Sequence, residues 1–362
     1  RSLVAQIRTA TSLDRGELPL SVTPADMNCL HDHLRQVVPS YAGSPAPGSL
    51  LIFENAVDHL ADHRRAPVIV VTSAKGGAGK TTTTLMLAFS AAYLAARSGN
   101  RMNVAVVELD LPGAVARSLV STKRPAAEQR TIIDYVNAAE ATEAALAEAM
   151  ETVVAVDGAG SRLMPEGSVR ILLGPRRTMD APNVDPRHVG EIVDLLSRDP
   201  DIDLVLIDTS ADVIDSPILA AAFAVSDQLL YVIEDKPTSY AKMGETLLWL
   251  QKSMDVPAER MKVIVNKSVR TVADQTLRDD LVDHSSGVAA LGVIPQSPFL
   301  HAFDGADTGS MWAAFFLDDE RPLADAFRSL VVALLPKPST GLDGGPVLPA
   351  APLPAKRRRL RR

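Results

Sequence analysis

From Val68 to Thr84 the chain reads VIVVTSAKGGAGKTTTT: an apolar β-branched run, three glycines among four residues, then Lys80 and a run of threonines. Those residue types in that order suit one chemistry, the holding of a phosphate chain. Glycines let the backbone N–H groups of Gly76, Gly77, Ala78 and Gly79 curl around anionic oxygens, and the start of the next helix adds its positive dipole end. Lys80 is placed to neutralise the terminal phosphates, Thr81 to offer its hydroxyl to Mg²⁺, and Thr82 to complete the nucleotide contacts.

Two other apolar runs end in acids. DLVLIDTSADV, from Asp203 to Val213, puts Asp208 at a strand end, the pattern of a carboxylate that holds Mg²⁺ through water beside a phosphate loop. VAVVELDLPGA, from Val104 to Ala114, ends in Glu108 and Asp110. A third strand-like run, VIVNKSVR from Val263, carries Asn266 and Lys267 at its end. A guanine-reading N-K-x-D pattern needs an acid where Val269 stands, so the nucleotide expected here is ATP rather than GTP.

The loop lacks the first glycine of the strict G-x-x-x-x-G-K-T pattern, having Ala74 there, and it carries an extra lysine, Lys75. With that lysine, KGGAGKTT resembles the deviant Walker A motif of the ParA/MinD group of P-loop ATPases. The resemblance covers residues 67–335. It implies that Lys75 reaches across an ATP-dependent homodimer to the partner's nucleotide, while Lys80 serves its own. It gives Asp110 the task of positioning the attacking water, and Asp208, with Thr81, that of holding Mg²⁺. Asn266 and Pro295 fall on adenine-contacting segments, although Pro295 is equally well read as an ordinary turn. Two departures stand out: Glu108 replaces the usual first Asp, and Asp212 stands where relatives often have Gly. EDKPTSYAKMGETLLWL, from Glu234, is most similar to the flagellar-placement (FlhG) and pilus-placement (CpaE) relatives.

The activity so implied is a slow, partner-stimulated ATPase that positions a cellular cargo, with ATP/ADP and Mg²⁺ bound and an activating protein as second partner. The alternative is a dimeric ATP-binding scaffold with little hydrolysis. Related tyrosine kinases carry a C-terminal tyrosine cluster, and no Tyr follows Tyr240. Metal-cluster carriers need paired cysteines, and Cys29 is the sole cysteine.

A phosphate site of this kind needs a scaffold that brings distant strand ends together. Between residues 67 and 335, short β-branched runs alternate with longer helical stretches, which predicts a doubly wound α/β domain: a mostly parallel sheet with helices on both faces. Strands are expected at Val68–Thr72, Val104–Leu109, Val169–Leu173, Leu204–Ile207, Gln228–Ile233, Lys262–Val265 and Ala290–Ile294. Helices are expected at Thr81–Ser98, Ile132–Met150, Pro186–Ser197, Ser239–Met254 and Leu323–Leu335. Residues 1–66 read as a small helical extension, with Thr23 capping one amphipathic helix and a second running through Leu51, Val57 and Leu60. Residues 336–362 read as a disordered Pro/Gly-rich linker ending in a basic tip.

Of 362 residues 46% are hydrophobic and 22% charged, which excludes a wholly disordered or fibrous chain. No apolar run reaches the ~18 residues of a membrane span, and no signal peptide opens the chain, so a cytoplasmic protein is expected, peripheral at most to the inner membrane or nucleoid. The chain opens at Arg1, which leaves room for an upstream segment. Net charge is −7, divided as +6 over residues 337–362 and −13 before them. The tip Lys356–Arg362 therefore suits either solubilisation or a salt-sensitive contact with an anionic membrane or DNA. His31, His33, His59 and His63 offer either a weak metal-binding pattern or plain solvated side chains.

Overall fold

Val68–Thr72 is strand β1, and all five of its residues are buried. Successive side chains of a strand point to opposite faces, so a strand with helices on both sides must be apolar throughout. Val68 and Val70 join one core with Leu219, Phe223, Met243 and Leu247. Ile69 and Val71 join another with Leu85, Phe89, Phe327 and Leu330. This computed structural model describes residues 65–97, 101–111, 115–155, 162, 164–211, 216–271, 273–297 and 321–334. The helices expected before residue 67, His31, His33, His59 and His63, Cys29, Asp212, and the linker with its basic tip lie outside the described residues. The account concerns the unit that begins at Ala66.

The strands that follow are β2 (Val104–Leu109), β3 (Glu151–Thr152), β4 (Val169–Leu172), β5 (Leu204–Thr209), β6 (Gln228–Glu234), β7 (Met261–Ser268) and β8 (Ala289–Pro295). They stand in the order β3-β4-β2-β5-β1-β6-β7-β8. Among these strands the β3–β4 pairing is antiparallel and the others are parallel. The chain runs outward from β1 to β2 and β4, returns as β5, and then builds the other half through β6, β7 and β8. Strand order thus reverses around β1, and ligands of such sheets bind beyond the carboxyl ends of the strands at that reversal. All the strand-end residues singled out above therefore share one edge of the sheet.

The helices are α1 (Lys80–Arg97), α2 (Ala116–Leu119), α3 (Ile132–Val136), α4 (Glu143–Ala149), α5 (Pro186–Arg198), α6 (Pro217–Val225), α7 (Pro237–Ser253), α8 (Gln275–His284) and α9 (Arg321–Leu334). α1 and α9 cover one face; α5, α6, α7 and α8 cover the other. The expected helix over Ile132–Met150 is in fact two. Asn137 ends α3, and the Thr142 hydroxyl accepts from Ala145 N–H to begin α4, so a threonine mid-pattern acts as a cap. Three helices leave no periodic pattern, and the first of them, α2, has only four residues. PILAAAFAV of α6 is apolar on every side, and α8 buries only Leu277 and Leu281. The two-residue strand β3 is too short to leave a pattern.

Candidate functional site

The loop from Ser73 to Gly79 joins β1 to α1 and is held from outside. Ser73 Oγ donates to the Lys75 carbonyl at 2.8 Å, and Ala74 N–H donates to Tyr231 Oη at 3.0 Å. Gly77 and Gly79 have φ of +77° and +92°, a region that favours glycine. At Gly79 space forbids more as well, because a Cβ there would lie 2.3 Å from Asn266 Nδ2. The loop's carbonyls are also tied down. Asn266 Nδ2 donates to Ala78 O at 2.8 Å, and Lys267 Nζ donates to Gly77 O at 2.6 Å.

Lys80 and Thr81 open α1 and are both buried. Parallel pairing sets Val71 beside Asp208, so the end of β5 stands at the root of the loop. Thr81 Oγ1 donates to Asp208 Oδ2 at 2.6 Å, and Thr84 Oγ1 lies 3.4 Å from Oδ1. Asp208 is 1% exposed. Burial drives its carboxyl well above the usual range; the Thr81 hydrogen bond and Lys80 oppose that, while Glu108 and Asp110 add to it. The group thus lacks positive charge. The Thr81 hydroxyl and the Asp208 carboxyl in contact, with Asp110 near, are hard oxygen donors that fit Mg²⁺.

Asp110 is half-buried just past β2, close enough to raise both Glu108 and Asp208. Glu108 faces a different task. It is wholly buried and accepts from Ala116 N–H at 2.7 Å and Gly174 N–H at 2.8 Å, tying the start of α2 to the turn after β4. Burial raises its carboxyl above the usual range, against those two hydrogen bonds.

On the other side of the loop, Glu234 ends β6 and sits beside Asn266 in the β6–β7 register. Its Oε2 takes Lys75 Nζ at 3.3 Å and Lys236 Nζ at 3.1 Å, and its Oε1 takes Lys267 Nζ at 2.9 Å. Burial pushes this carboxyl up, but hydrogen bonds from Lys267, Lys236 and Lys75 outweigh it and hold it at about 2. Next to it, Asp235 accepts from Arg270, Ser268 and Tyr240, and is held at about 2, chiefly by Arg270. Pro295 ends β8 opposite Ser268, two residues beyond Asn266.

Gly76, Gly77, Ala78, Gly79, Lys80, Thr81, Thr82 and Asp208 are thus brought to one place, with Asp110 on one flank and Lys75, Asn266 and Pro295 on the other. Glu234 and Lys267 escaped the sequence reading. In the sequence Glu234 opens the segment similar to FlhG and CpaE, and Lys267 follows Asn266 in a base-reading pattern. A charged residue at the end of each of two neighbouring parallel strands was the available signal.

A sequence profile described as the CobQ/CobB/MinD/ParA nucleotide binding domain matches residues 69–304. No curated protein matches the chain in sequence. Among solved structures, a ParA family ATPase from Chlorobium tepidum is similar at 17% identity and a TM-score of 0.57, over 74% of this chain and 99% of that one. The septum site-determining protein MinD from Pyrococcus horikoshii, complexed with Mg-ADP, is similar at 21% identity and 0.53, over 74% and 94%. pNOB8 ParA bound to nonspecific DNA is similar at 16% and 0.52, over 74% and 97%.

Proposed function

Because the chain belongs to the CobQ/CobB/MinD/ParA nucleotide-binding domain family, we propose that it is a Mg-ATP-dependent, dimerising ATPase that positions a cellular cargo. The observation that carries this reading is the 2.6 Å contact between Thr81 and Asp208 at the root of a glycine loop whose carbonyls are fixed from outside. Residues 76–81 bind the phosphates through backbone N–H groups and the Lys80 ammonium. Thr81 and Asp208 hold Mg²⁺, which when bound offsets charge on the phosphates and on the acids around it. Asp110 orients the attacking water. Lys75 extends to the nucleotide of a second copy, and an activating protein stimulates the slow hydrolysis. Asn266 and Pro295 contact the adenine.

The scaffold alternative has one observation in its favour: Glu108 is spent on Ala116 and Gly174, which leaves Asp110 to orient the water without a second acid. Light scattering and phosphate release, with ADP or ATP and Mg²⁺, test both readings. A dimer with ATP but not ADP, and measurable turnover, is expected. A dimer without turnover supports the scaffold, and a chain indifferent to nucleotide removes the proposal. The basic tip Lys356–Arg362 is proposed as a salt-sensitive attachment to an anionic membrane or DNA, which would set a cytoplasmic protein at the inner membrane or the nucleoid.

A further inference from the structure

We propose that Glu234 is a positioning residue: it holds Lys75 within its own chain and releases it when a second copy presents a nucleotide. The proposal rests on the reading of Lys75 as the lysine that crosses to a second copy, and it names what occupies that lysine beforehand. Glu234 closes a strand in the middle of the sheet and its side chain is only 8% exposed. A carboxylate so placed needs cationic or hydrogen-bonding partners, and it has three ammonium groups around two oxygens.

Three cations on one anion leave a local excess of positive charge. The loosest of the three is Lys75, whose 3.3 Å contact is the longest and whose side chain is 49% exposed. Lys267 is held twice, by Glu234 at 2.9 Å and by the Gly77 carbonyl at 2.6 Å. Lys236 at 3.1 Å fills the same oxygen that Lys75 uses. When Lys75 leaves, Lys236 and Lys267 still satisfy Glu234, so no buried charge is orphaned and departure costs little. Phosphates of a second copy carry several negative charges and outbid a carboxylate that is already shared. Lys75 is therefore a two-position side chain, and Glu234 sets its resting position.

The test uses the full chain with Glu234→Gln and Glu234→Asp. In nucleotide-free protein, brief acetylation by an N-hydroxysuccinimide ester is read by peptide mass spectrometry at Lys75, with Lys123, paired far away with Glu166, as internal reference. Lys75 labelling is expected to rise several-fold in Glu234→Gln, with Glu234→Asp in between because its carboxylate is retracted by one methylene. In parallel, sedimentation with Mg²⁺ and a non-hydrolysable ATP analogue should show the Gln variant dimerising at roughly 2- to 5-fold lower protein concentration, the range a half-exposed ion pair supplies. Equal labelling of Lys75 in all three proteins overturns the proposal. So does altered labelling with an unmoved dimerisation threshold in a parent chain that dimerises. If labelling shifts as expected and the parent never dimerises with the analogue, the tie to Glu234 stands and the dimerising reading fails.

Discussion

The Thr81 hydroxyl and the Asp208 carboxylate meet at 2.6 Å across 127 residues of chain, and the meeting is a property of register. β1 and β5 pair so that Val71 lies beside Asp208, and the loop that leaves β1 carries Thr81 back over that same strand end. A slip of one residue in that pairing turns the carboxylate to the opposite face.

Asp208→Asn should therefore separate metal from nucleotide. The variant keeps its shape and its place beside Thr81 but loses the charge that attracts Mg²⁺. Calorimetry with ADP should show affinity that no longer responds to Mg²⁺, with little change in its absence. Retained Mg²⁺ dependence would move the metal to other residues.

Lys80→Ala should abolish nucleotide binding, because Lys75 rests on Glu234 and Lys80 is the lysine left at the start of α1. A charge-assisted contact to phosphate is worth about 1.5–3 kcal/mol, or one to two decades of affinity, before the cost of leaving buried anionic oxygens unpaired. Unchanged binding by calorimetry would remove the phosphate-loop reading.

Asp110→Ala should leave the cradle intact and remove the group that orients water. Light scattering in Mg-ATP is expected to show a persistent dimer, with turnover reduced at least ~10²-fold. A monomer with parental turnover would give Asp110 another task.

Much of this was legible from residues alone, since fully buried parallel strands announce themselves as β-branched runs and the glycine loop follows one of them directly. α6 and α8 were not, because a helix apolar all round and a helix burying only two leucines both lack the usual stripe. Within the site, residue types were readable and partners were not. The sequence places Glu108 beside Asp110 as a second site acid, whereas the fold spends it on two backbone N–H groups. Lys75 reads as a lysine bound for another molecule, and its resting place on Glu234 depends on β6 lying next to β1.

The acids of the β6 end should shape the response to low pH. Glu234 is held at about 2 against an ordinary 4.5, and Asp235 at about 2 against 3.8. Depressed carboxylates stabilise fully above their unfolded pKa and lose that contribution as pH falls through the folded value. Thermal unfolding of Glu234→Gln is thus expected to be lowered at pH 7 by no more than about 3 kcal/mol, and to decline less steeply than the parent between pH ~4.5 and ~2. Parallel curves for the two proteins would show that the lysines do not hold Glu234 down.

The last expectation separates scaffold from chemistry at Glu108. Its two oxygens satisfy Ala116 and Gly174 N–H in a place closed to water, so Glu108→Ala orphans two buried donors at about 1–3 kcal/mol each. Glu108→Gln retains one acceptor and sets an amide NH₂ against the other donor, so it should fall between alanine and the parent. Urea unfolding reads that order. Nucleotide affinity should survive in both variants, because the cradle is built from β1, α1 and the clamp of Asn266 and Lys267, whereas the hydrogen bonds of Glu108 run to Ala116 and Gly174. Loss of ADP binding with stability unchanged would reverse the assignment and return Glu108 to the phosphate site.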